Sequence, residues 1–235
     1  AVEAVKIKAI WIMATNPVVS LPDADQVKRA LEKCELVVMS DICADTDTTA
    51  YADILLPALG WGEKDGTVTN SERRISRQRA FLPAPGEAKA DWWSVSQVAK
   101  KLGFDGFDFV SASDIFNEHA ALSAQDNADM DMREESNNFR YFNLKGLMNL
   151  SNAEYDALQP VQWPVWNKTQ DAKAVQQLFG KGQFSHKNAK AKLIPTVAID
   201  PVHAVSEDYP LILNTGRIRD QWHTMTRTGL SPNLS

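Results

Sequence analysis

Cysteine is nearly missing from this chain, since only Cys34 and Cys43 occur among its 235 residues. They stand nine positions apart and form no CxxC motif. The sequence therefore indicates neither a disulfide framework nor an iron–sulfur or zinc site, and we predict no metal-binding residue. We expect both cysteines to be buried thiols.

Long apolar runs and an excess of positive charge are also missing. No stretch approaches the roughly 20 apolar residues that span a bilayer, and the N-terminus carries no signal peptide. The 25 Lys and Arg residues are outnumbered by 30 Asp and Glu, which argues against a nucleic-acid surface. With 44% hydrophobic residues, the chain can bury a core as one large domain or as one domain with an appendage. We expect neither a nucleic acid nor a membrane as partner.

The first hundred residues predict an α/β fold. An apolar run at 7–13 has the length of a buried strand and ends before Thr15-Asn16-Pro17, where proline forbids a longer strand. From Asp23 the apolar positions recur with helical spacing, which predicts a helix with one inward-facing stripe: Val27, Ala30, Leu31 and Cys34. Two more strands are predicted at 36–39 and 54–56. Strand, helix and strand in this order predict a right-handed βαβ unit and a parallel sheet. We expect the fold class to be α/β, with this sheet in a Rossmann-like three-layer module.

Polar residues follow the first two predicted strands: Asn16, Ser40 and Asp41. Parallel sheets bind ligands at the carboxyl ends of their strands. An aspartate there can accept hydrogen bonds from ribose hydroxyls or from the two donors on one edge of guanine. Alternatively, Ser40 and Asp41 only cap the turn that follows, and the residues alone leave both interpretations open. Because no GxGxxG motif follows the first strand, a conventional NAD site is disfavoured.

Turn residues and charges dominate 61–74. Asp65-Gly66 indicates a turn, and 67–75 is predicted to form a ribbon beside the sheet. The charges at 72–74 favour an internal ion pair that supports this ribbon over a direct ligand contact. Asp91 is predicted to open the next helix as its N-cap. That helix would end at Gly103 and carry an apolar stripe: Val95, Val98, Ala99 and Leu102.

The C-terminal region contains an apolar run, 210–213, that predicts a strand leading into Asn214-Thr215-Gly216-Arg217 and the polar string 219–229. Thr215 and Gly216 would let backbone amides approach a ligand closely. Arginines could pair with a phosphate there: Arg217, Arg219 and Arg227. The sequence stops soon afterwards at Ser235, so we expect the chain to be part of a longer polypeptide.

Several ordered motifs resemble the molybdopterin oxidoreductases of the dimethyl-sulfoxide-reductase family. They are Ile10-Trp11, Thr15-Asn16-Pro17, Ser40-Asp41, Ala52-Asp53-Ile54-Leu55-Leu56-Pro57, Glu63-Lys64-Asp65-Gly66, Asn70-Ser71-Glu72-Arg73-Arg74, Pro85-Gly86-Glu87-Ala88 and Asp91-Trp92. The resemblance implies that 1–105 is the family's third domain, an α/β module that binds the guanosine end of one of two molybdopterin guanine dinucleotides. It further implies a helical and irregular extension at 106–208. Residues 209–235 would begin the fourth, C-terminal dinucleotide-binding domain.

The same resemblance implies a set of cofactor-binding residues and no catalytic residue. In the α/β module these are Asn16, Ser40, Asp41, Lys64 and Asp91; in the C-terminal segment they are Thr215, Gly216, Arg217, Trp222, His223 and Thr224. The whole enzyme would carry bis-molybdopterin guanine dinucleotide with molybdenum and a [4Fe-4S] cluster. Neither Cys34 nor Cys43 matches the family's cluster or molybdenum cysteines. We therefore expect the chain alone to be inactive and to bind no cofactor.

Within the family, the segment 105–208 and the string 219–229 resemble the bacterial assimilatory nitrate reductases. These are cytoplasmic enzymes that reduce nitrate to nitrite, and they imply an electron donor protein or reductase subunit as partner besides the rest of the polypeptide. Formate dehydrogenases carry an extra glycine between the His-Thr and Met-Thr pairs, which this chain lacks at 223–226. The non-catalytic large iron–sulfur subunit of respiratory complex I would not be expected to retain the polar string. Both remain alternatives.

Two helices are predicted in this extension. Residues 113–122 form an amphipathic pattern with a serine cap, and Ser151-Asn152-Ala153-Glu154 is a capping box. We expect His119, within the first helix, to be a packed or capping residue, because no second ligand stands at i+3 or i+4.

Overall fold

A computed structural model of the chain describes residues 1–127, 139–169, 177–180, 182, 184, 186, 188–214, 216, 218–221 and 224–234. The chain divides into two compact units, Ala1–Gln176 and Gln177–Ser235. The predicted domains, 1–105, 106–208 and 209–235, stay a prediction about modules of the family rather than about these units.

A parallel sheet holds three strands: β1 (Ala9–Met13), β2 (Leu36–Asp41) and β3 (Ile54–Pro57), in the order β1-β2-β3. In its register Ile12 lies beside Met39, and Met39 lies beside Leu55. Because the strands run in one direction, their carboxyl ends meet at a single edge of the sheet. The prediction of three parallel strands is confirmed, although β1 begins at Ala9 rather than at Ile7.

Two helices connect β1 to β2: α1 (Pro17–Ser20) and α2 (Ala24–Glu32). Asp23 caps α2, since its Oδ1 accepts a hydrogen bond of 3.0 Å from the Gln26 amide. Leu31 of α2 packs into a core with sheet residues and Val18: Ile12, Val37 and Met39. The helix ends before Cys34, so the prediction that Cys34 belongs to the helix is wrong, although Cys34 does pack against this core as the stripe predicted. Its Sγ instead lies 3.4 Å from the carbonyl oxygen of Lys8, where the chain turns into β2.

An antiparallel sheet follows: β4 (Gly66–Thr69), β5 (Arg74–Gln78) and β6 (Val161–Gln162). The first two strands are the predicted ribbon. The third comes from the extension and was not predicted, because two residues carry no readable period. Ile75 of β5 packs into a second core with residues of the extension: Phe116, Ala120, Leu144, Leu147, Tyr155, Val161 and Val165. The extension therefore folds onto the ribbon.

The helix α3 (Asp91–Lys101) is capped by Ala90, and Asp91 is its first residue. The prediction of Asp91 as N-cap is wrong by one position. Gly103, at a φ of +83°, follows the helix as predicted. Of the predicted stripe only Ala99 is buried, while the others are 38–69% exposed. The described part of the chain therefore covers that face only in part.

The extension contributes α4 (Ala112–Ala124) and α5 (Asn152–Asp156). Ser111 caps α4, not a serine within the predicted helix, because Ser111 has the extended backbone that a cap requires. Ser151 and Glu154 form the predicted capping box of α5. His119 is exposed, and its ring contacts that of Phe142 with the centroids 5.4 Å apart, so the expected packing is limited to that one ring. Short 3-10 helices complete the described elements: Thr49–Tyr51, Trp61–Glu63, Lys145–Leu147 and Thr228–Leu230.

In the unit Gln177–Ser235, the predicted strand at 210–213 does not form. Leu211 is 87% exposed and Leu213 is 94% exposed. An apolar run becomes a strand only when a second strand accepts its hydrogen bonds, and no described residue pairs with it.

Candidate functional site

Asn16 lies three residues after β1 and is only 6% exposed. Its side-chain Oδ1 accepts a hydrogen bond of 2.6 Å from the Thr48 hydroxyl, and its carbonyl oxygen accepts bonds from the amides of Val19 and Ser20. Asn16 therefore joins the start of α1 to the loop that follows β2. Its amide is held in one place at the carboxyl edge of the sheet.

Ser40 is the penultimate residue of β2 and is 2% exposed. Its hydroxyl oxygen accepts a hydrogen bond of 2.9 Å from Nε1 of Trp11 on the neighbouring strand. This bond satisfies the indole donor, which would be costly to bury without a partner. Ser40 therefore does not cap the following turn, contrary to one of the two interpretations of the sequence.

Asp41 ends β2 and is half-buried. Its Oδ1 accepts a hydrogen bond of 3.0 Å from the Cys43 amide, so this carboxylate does cap the turn that follows the strand. Asp41 also lines a cavity of about 340 Å³, between the ends of β2 and β3 and the segment 85–88. The turn interpretation and the ligand interpretation are thus compatible for this residue.

Lys64 and Asp91 are 27 positions apart, and the fold brings them together. The Nζ of Lys64 lies 2.9 Å from Oδ2 of Asp91, with the two side chains 33% and 34% exposed. The other carboxylate oxygen of Asp91, Oδ1, is buried and has no hydrogen-bond partner among the described residues. A buried carboxylate oxygen without a partner is costly, so this atom can accept a donor from a ligand.

The charges at the ribbon form the predicted internal ion pair. The Nε of Arg74 lies 2.7 Å from Oε1 of Glu72, and hydrogen bonds from Arg74 and Asn70 lower the pKa of the Glu72 carboxyl. Arg73 lies over the Trp163 ring at 5.2 Å and donates to the Trp163 carbonyl oxygen. The contacts of Arg73 hold the ribbon to the extension.

The C-terminal candidates lie in the other unit and are described only in part. Thr215, Arg217, Trp222 and His223 fall outside the described residues. Gly216 is exposed, and the Thr224 hydroxyl lies 2.9 Å from that of Thr226. Arg219 pairs with Asp220 at 2.8 Å, a contact that raises the pKa of the Arg219 guanidinium. This pair lies at the surface, with the Arg219 side chain 90% exposed, so the pairing of Arg219 with a phosphate stays a prediction.

Sequence reasoning missed Thr48, which is fully buried between Asn16 and the amide of Val18. Its partner stands 32 positions away, so no local spacing could have identified it. It also missed Arg77, whose guanidinium is 2% exposed and contacts Asp65 and Asp156. Lysine and arginine side chains usually face solvent, so the residue type alone gave no sign that Arg77 is buried.

The two thiols are half-buried, so the prediction that both are buried is wrong. Cys43 lines the cavity beside Asp41. No three His, Cys, Asp or Glu side chains of the described residues are grouped so that they could hold a metal ion. Among those same residues, no helix combines the length and apolar character needed to cross a membrane.

Comparisons with known proteins agree with this geometry. Residues 1–101 match the family model "Molybdopterin oxidoreductase". A "Nitrate reductase" of Shewanella frigidimarina is 53% identical over 95% of this chain, and an "F420-dependent formate dehydrogenase subunit alpha" of Methanocaldococcus jannaschii is 34% identical over 97%. The chain spans 23% and 30% of the lengths of these relatives.

A solved structure supports the fold alone. "Acetylene Hydratase from Pelobacter acetylenicus" superposes with a TM-score of 0.52 at 16% identity, covering 78% of this chain and 21% of that one. Together with the match over 1–101 and the identity to much longer relatives, the parallel sheet and its polar carboxyl edge lead to one conclusion: the chain belongs to the molybdopterin oxidoreductase family.

Proposed function

We propose that this chain is part of a molybdenum-dependent nitrate reductase and binds the guanosine-diphosphate arm of a molybdopterin guanine dinucleotide. The observation that carries the proposal is the carboxyl edge of the parallel sheet. There Ser40 and Asp41 end β2, Asn16 stands at the start of α1 after the neighbouring β1, and Asp41 lines a cavity of about 340 Å³. This is the position at which open α/β sheets bind nucleotides.

The residues present fit such a ligand. Asp41 and Oδ1 of Asp91, to which no described residue donates, are acceptors that suit the N–H edge of guanine or ribose hydroxyls. Lys64 supplies a cation for the diphosphate. In this structure Lys64 and Asp91 neutralise each other at 2.9 Å, so a diphosphate would have to compete with Asp91 for the ammonium group.

When bound, the molybdenum cofactor supplies the two-electron oxygen-atom transfer that converts nitrate to nitrite. The share of this chain is to fix one nucleotide arm. By holding that arm, the edge residues set the distance and tilt of the cofactor's reactive end. The chemistry, the [4Fe-4S] cluster and the electron donor protein or reductase subunit would reside with the rest of the polypeptide or its partners, in the cytoplasm.

Nitrate is favoured over formate as the substrate because the nitrate reductase relative is 53% identical and the formate dehydrogenase relative 34% identical. The missing glycine between Thr224 and Met225 points the same way. Reduction of nitrate by the full-length enzyme with reduced viologen, and no oxidation of formate, is the expected result. The opposite pair of activities would assign the chain to the formate dehydrogenases.

The nucleotide site is tested by Asp41→Ala and Lys64→Ala in the full-length enzyme. A lost charge-assisted contact costs about 1.5–3 kcal/mol, or roughly a 10- to 100-fold loss of affinity. We therefore expect lower molybdenum and guanine nucleotide contents per protein, with the absorbance of the iron–sulfur cluster unchanged.

Matched controls are available on the same module. Asp25→Ala and Lys8→Ala remove the same charges from side chains that are 81% and 70% exposed and belong to surface ion pairs. These variants should keep the full cofactor content. If Asp41→Ala and Lys64→Ala also keep it, both residues serve the turn and the surface only.

A further inference from the structure

Residues 80–85 are six consecutive apolar residues, Ala-Phe-Leu-Pro-Ala-Pro, and every one of them is exposed. Phe81 is 76% exposed, Leu82 is 51% exposed, and Trp61, whose neighbour Gly62 contacts both, is 68% exposed. A folded chain rarely leaves such a run in water unless the run has a function. Trp61 and 80–85 together form what we call the 80–85 surface.

The fold holds this surface in one conformation. The amides of Phe81 and Leu82 both donate to the Gly62 carbonyl oxygen, at 2.8 and 2.9 Å. Their side chains also close over Gly62, because a Cβ at that position would lie 2.9 Å from Cζ of Phe81 and 2.8 Å from Cδ1 of Leu82. Nε2 of Gln78 donates to the Trp61 carbonyl oxygen at 2.7 Å. A surface that is ordered in advance loses less conformational entropy on binding, so these contacts favour association.

The same segment leads to the proposed nucleotide site. Pro85, its last residue, lines the cavity of about 340 Å³ beside Asp41. Just beyond it, the Lys89 amide donates to the Pro57 carbonyl oxygen at 3.0 Å, which fixes the chain against the end of β3. The 80–85 surface therefore ends at the wall of that cavity.

The composition of the surface indicates the kind of partner that it fits. No charged residue occurs within 80–85. Transient electron-transfer contacts between proteins are small, whereas permanent interfaces are larger and more hydrophobic. A partner that stays in place is therefore favoured over an electron donor protein that binds and leaves.

We propose that the 80–85 surface is the docking site for another part of the same polypeptide, outside these 235 residues. The chain spans only 23% of the nitrate reductase relative, so most of such a polypeptide remains to supply the partner. The choice of partner rests on the proposed function. The reactive end of a cofactor held in the adjacent cavity would be contacted by the remaining part, which must then reach this edge of the sheet.

Hydroxyl-radical oxidation of the full-length enzyme, with no other protein present, tests the proposal. Oxidation at each residue is divided by its value in the same enzyme unfolded in guanidinium chloride. Phe116, which is 4% exposed in a hydrophobic core, is the internal reference for a covered phenylalanine. We expect Phe81 and Trp61 to be protected to the same degree as Phe116. An open surface would instead let Phe81 oxidise about 19-fold faster than Phe116, the ratio of their exposed fractions, 76% and 4%.

A charged variant tests whether the apolar character is what binds. Phe81→Asp should displace the docked part, so that Trp61 becomes oxidised while Phe116 stays protected because the core is intact. Ser71→Asp adds the same charge at another exposed position of the ribbon and should leave Trp61 protected. If Phe81→Asp does not accumulate as folded enzyme, the oxidation of the unmodified enzyme still decides the question.

Three results would overturn the proposal. The first is fast oxidation of Phe81 under all conditions. The second is protection that appears only after an electron donor protein is added or the enzyme concentration is raised, which would assign the surface to another protein or to a second copy. The third is a protected Trp61 in folded Phe81→Asp. Full cofactor content in Asp41→Ala and Lys64→Ala beside a protected Phe81 overturns the nucleotide site alone.

Discussion

At the scale of single residues, the buried guanidinium of Arg77 shows how a charge is stabilised inside this fold. Its guanidinium lies 2.8 Å from Asp65 and 3.0 Å from Asp156, and it stacks over the Tyr155 ring at 4.0 Å. Burial alone would lower the pKa of Arg77, but its hydrogen bonds to the two carboxylates raise it. Arg77 therefore stays charged and joins the ribbon to α5.

We predict that Arg77→Met lowers the free energy of unfolding by about 2–3 kcal/mol. Removing one partner of a buried ion pair costs more than this, but Asp65 and Asp156 are 48% and 71% exposed and can be hydrated instead. Urea denaturation measures the loss. Arg29→Met, which breaks a surface contact with Glu3, is the control and should stay within about 0.5 kcal/mol. Equal losses would mean that the burial of Arg77 contributes nothing.

At the scale of elements, the start of α4 depends on an ionised carboxylate. Oδ2 of Asp114 accepts hydrogen bonds of 2.9 Å from the amides of Val110 and Ser111. The bond from Val110 is the largest cause of the lowered pKa of Asp114. A carboxyl with a depressed pKa stabilises the fold above its unfolded value, about 3.9, and loses that contribution as the pH falls through the folded value.

We therefore predict that the first turn of α4 loosens below about pH 4. Asp114→Asn cannot ionise, so its first turn should already be looser at neutral pH and should not respond to acid at this site. Proton chemical shifts of the Val110 and Ser111 amides between about pH 6 and pH 2.5 report the change. Glu118→Gln alters an exposed carboxylate of the same helix and should titrate like the unmodified chain. Identical titration of all three would disprove the role of Asp114.

The elements that could be predicted from sequence are those whose signals are local. The three parallel strands are apolar runs: β1 stops at Met13, shortly before Pro17, β2 stops at Asp41, and β3 stops at Pro57. Prolines and turn residues act on the chain close to them, which makes such signals readable. The α3 stripe had the correct period, yet most of it lies exposed, because period determines which residues share a face and not what covers that face. Polar pairs such as Thr48 with Asn16 depend on contacts across 32 positions, which no spacing rule encodes.

In the candidate site, too, the features with local signals were predicted and the contacts between distant residues were not. The sequence placed Asn16, Ser40 and Asp41 at strand ends, and the structure confirms that position. The sequence did not reveal that the Ser40 hydroxyl accepts a hydrogen bond from the Trp11 indole, or that Lys64 and Asp91 form an ion pair. Those contacts follow from strand register and from the path of the chain between residues 64 and 91.

At the scale of the whole molecule, the two units differ in how much apolar surface they bury. The unit Ala1–Gln176 contains both hydrophobic cores. In the other unit, apolar side chains stand almost fully in solvent: Leu193, Val197, Ile199, Val202, Leu211 and Leu213 are 83–94% exposed. Exposed apolar surface on this scale marks an interaction site. The chain spans only 23% of the nitrate reductase relative, so the rest of such a polypeptide is the partner that we propose.

Hydrogen exchange tests that proposal at 211–213. These residues have no ladder partner among the described residues, so in the chain 1–235 their amides should exchange orders of magnitude faster than that of Met39, which is 0% exposed in the middle strand of the parallel sheet. In the full-length enzyme we expect the same amides to become protected, because a partner strand would accept their hydrogen bonds and cover Leu211 and Leu213. Protection comparable to that of Met39 in the chain 1–235 would show that the segment already has a packing site within these residues. Fast exchange in the full-length enzyme would show that the apolar run is no strand in either form.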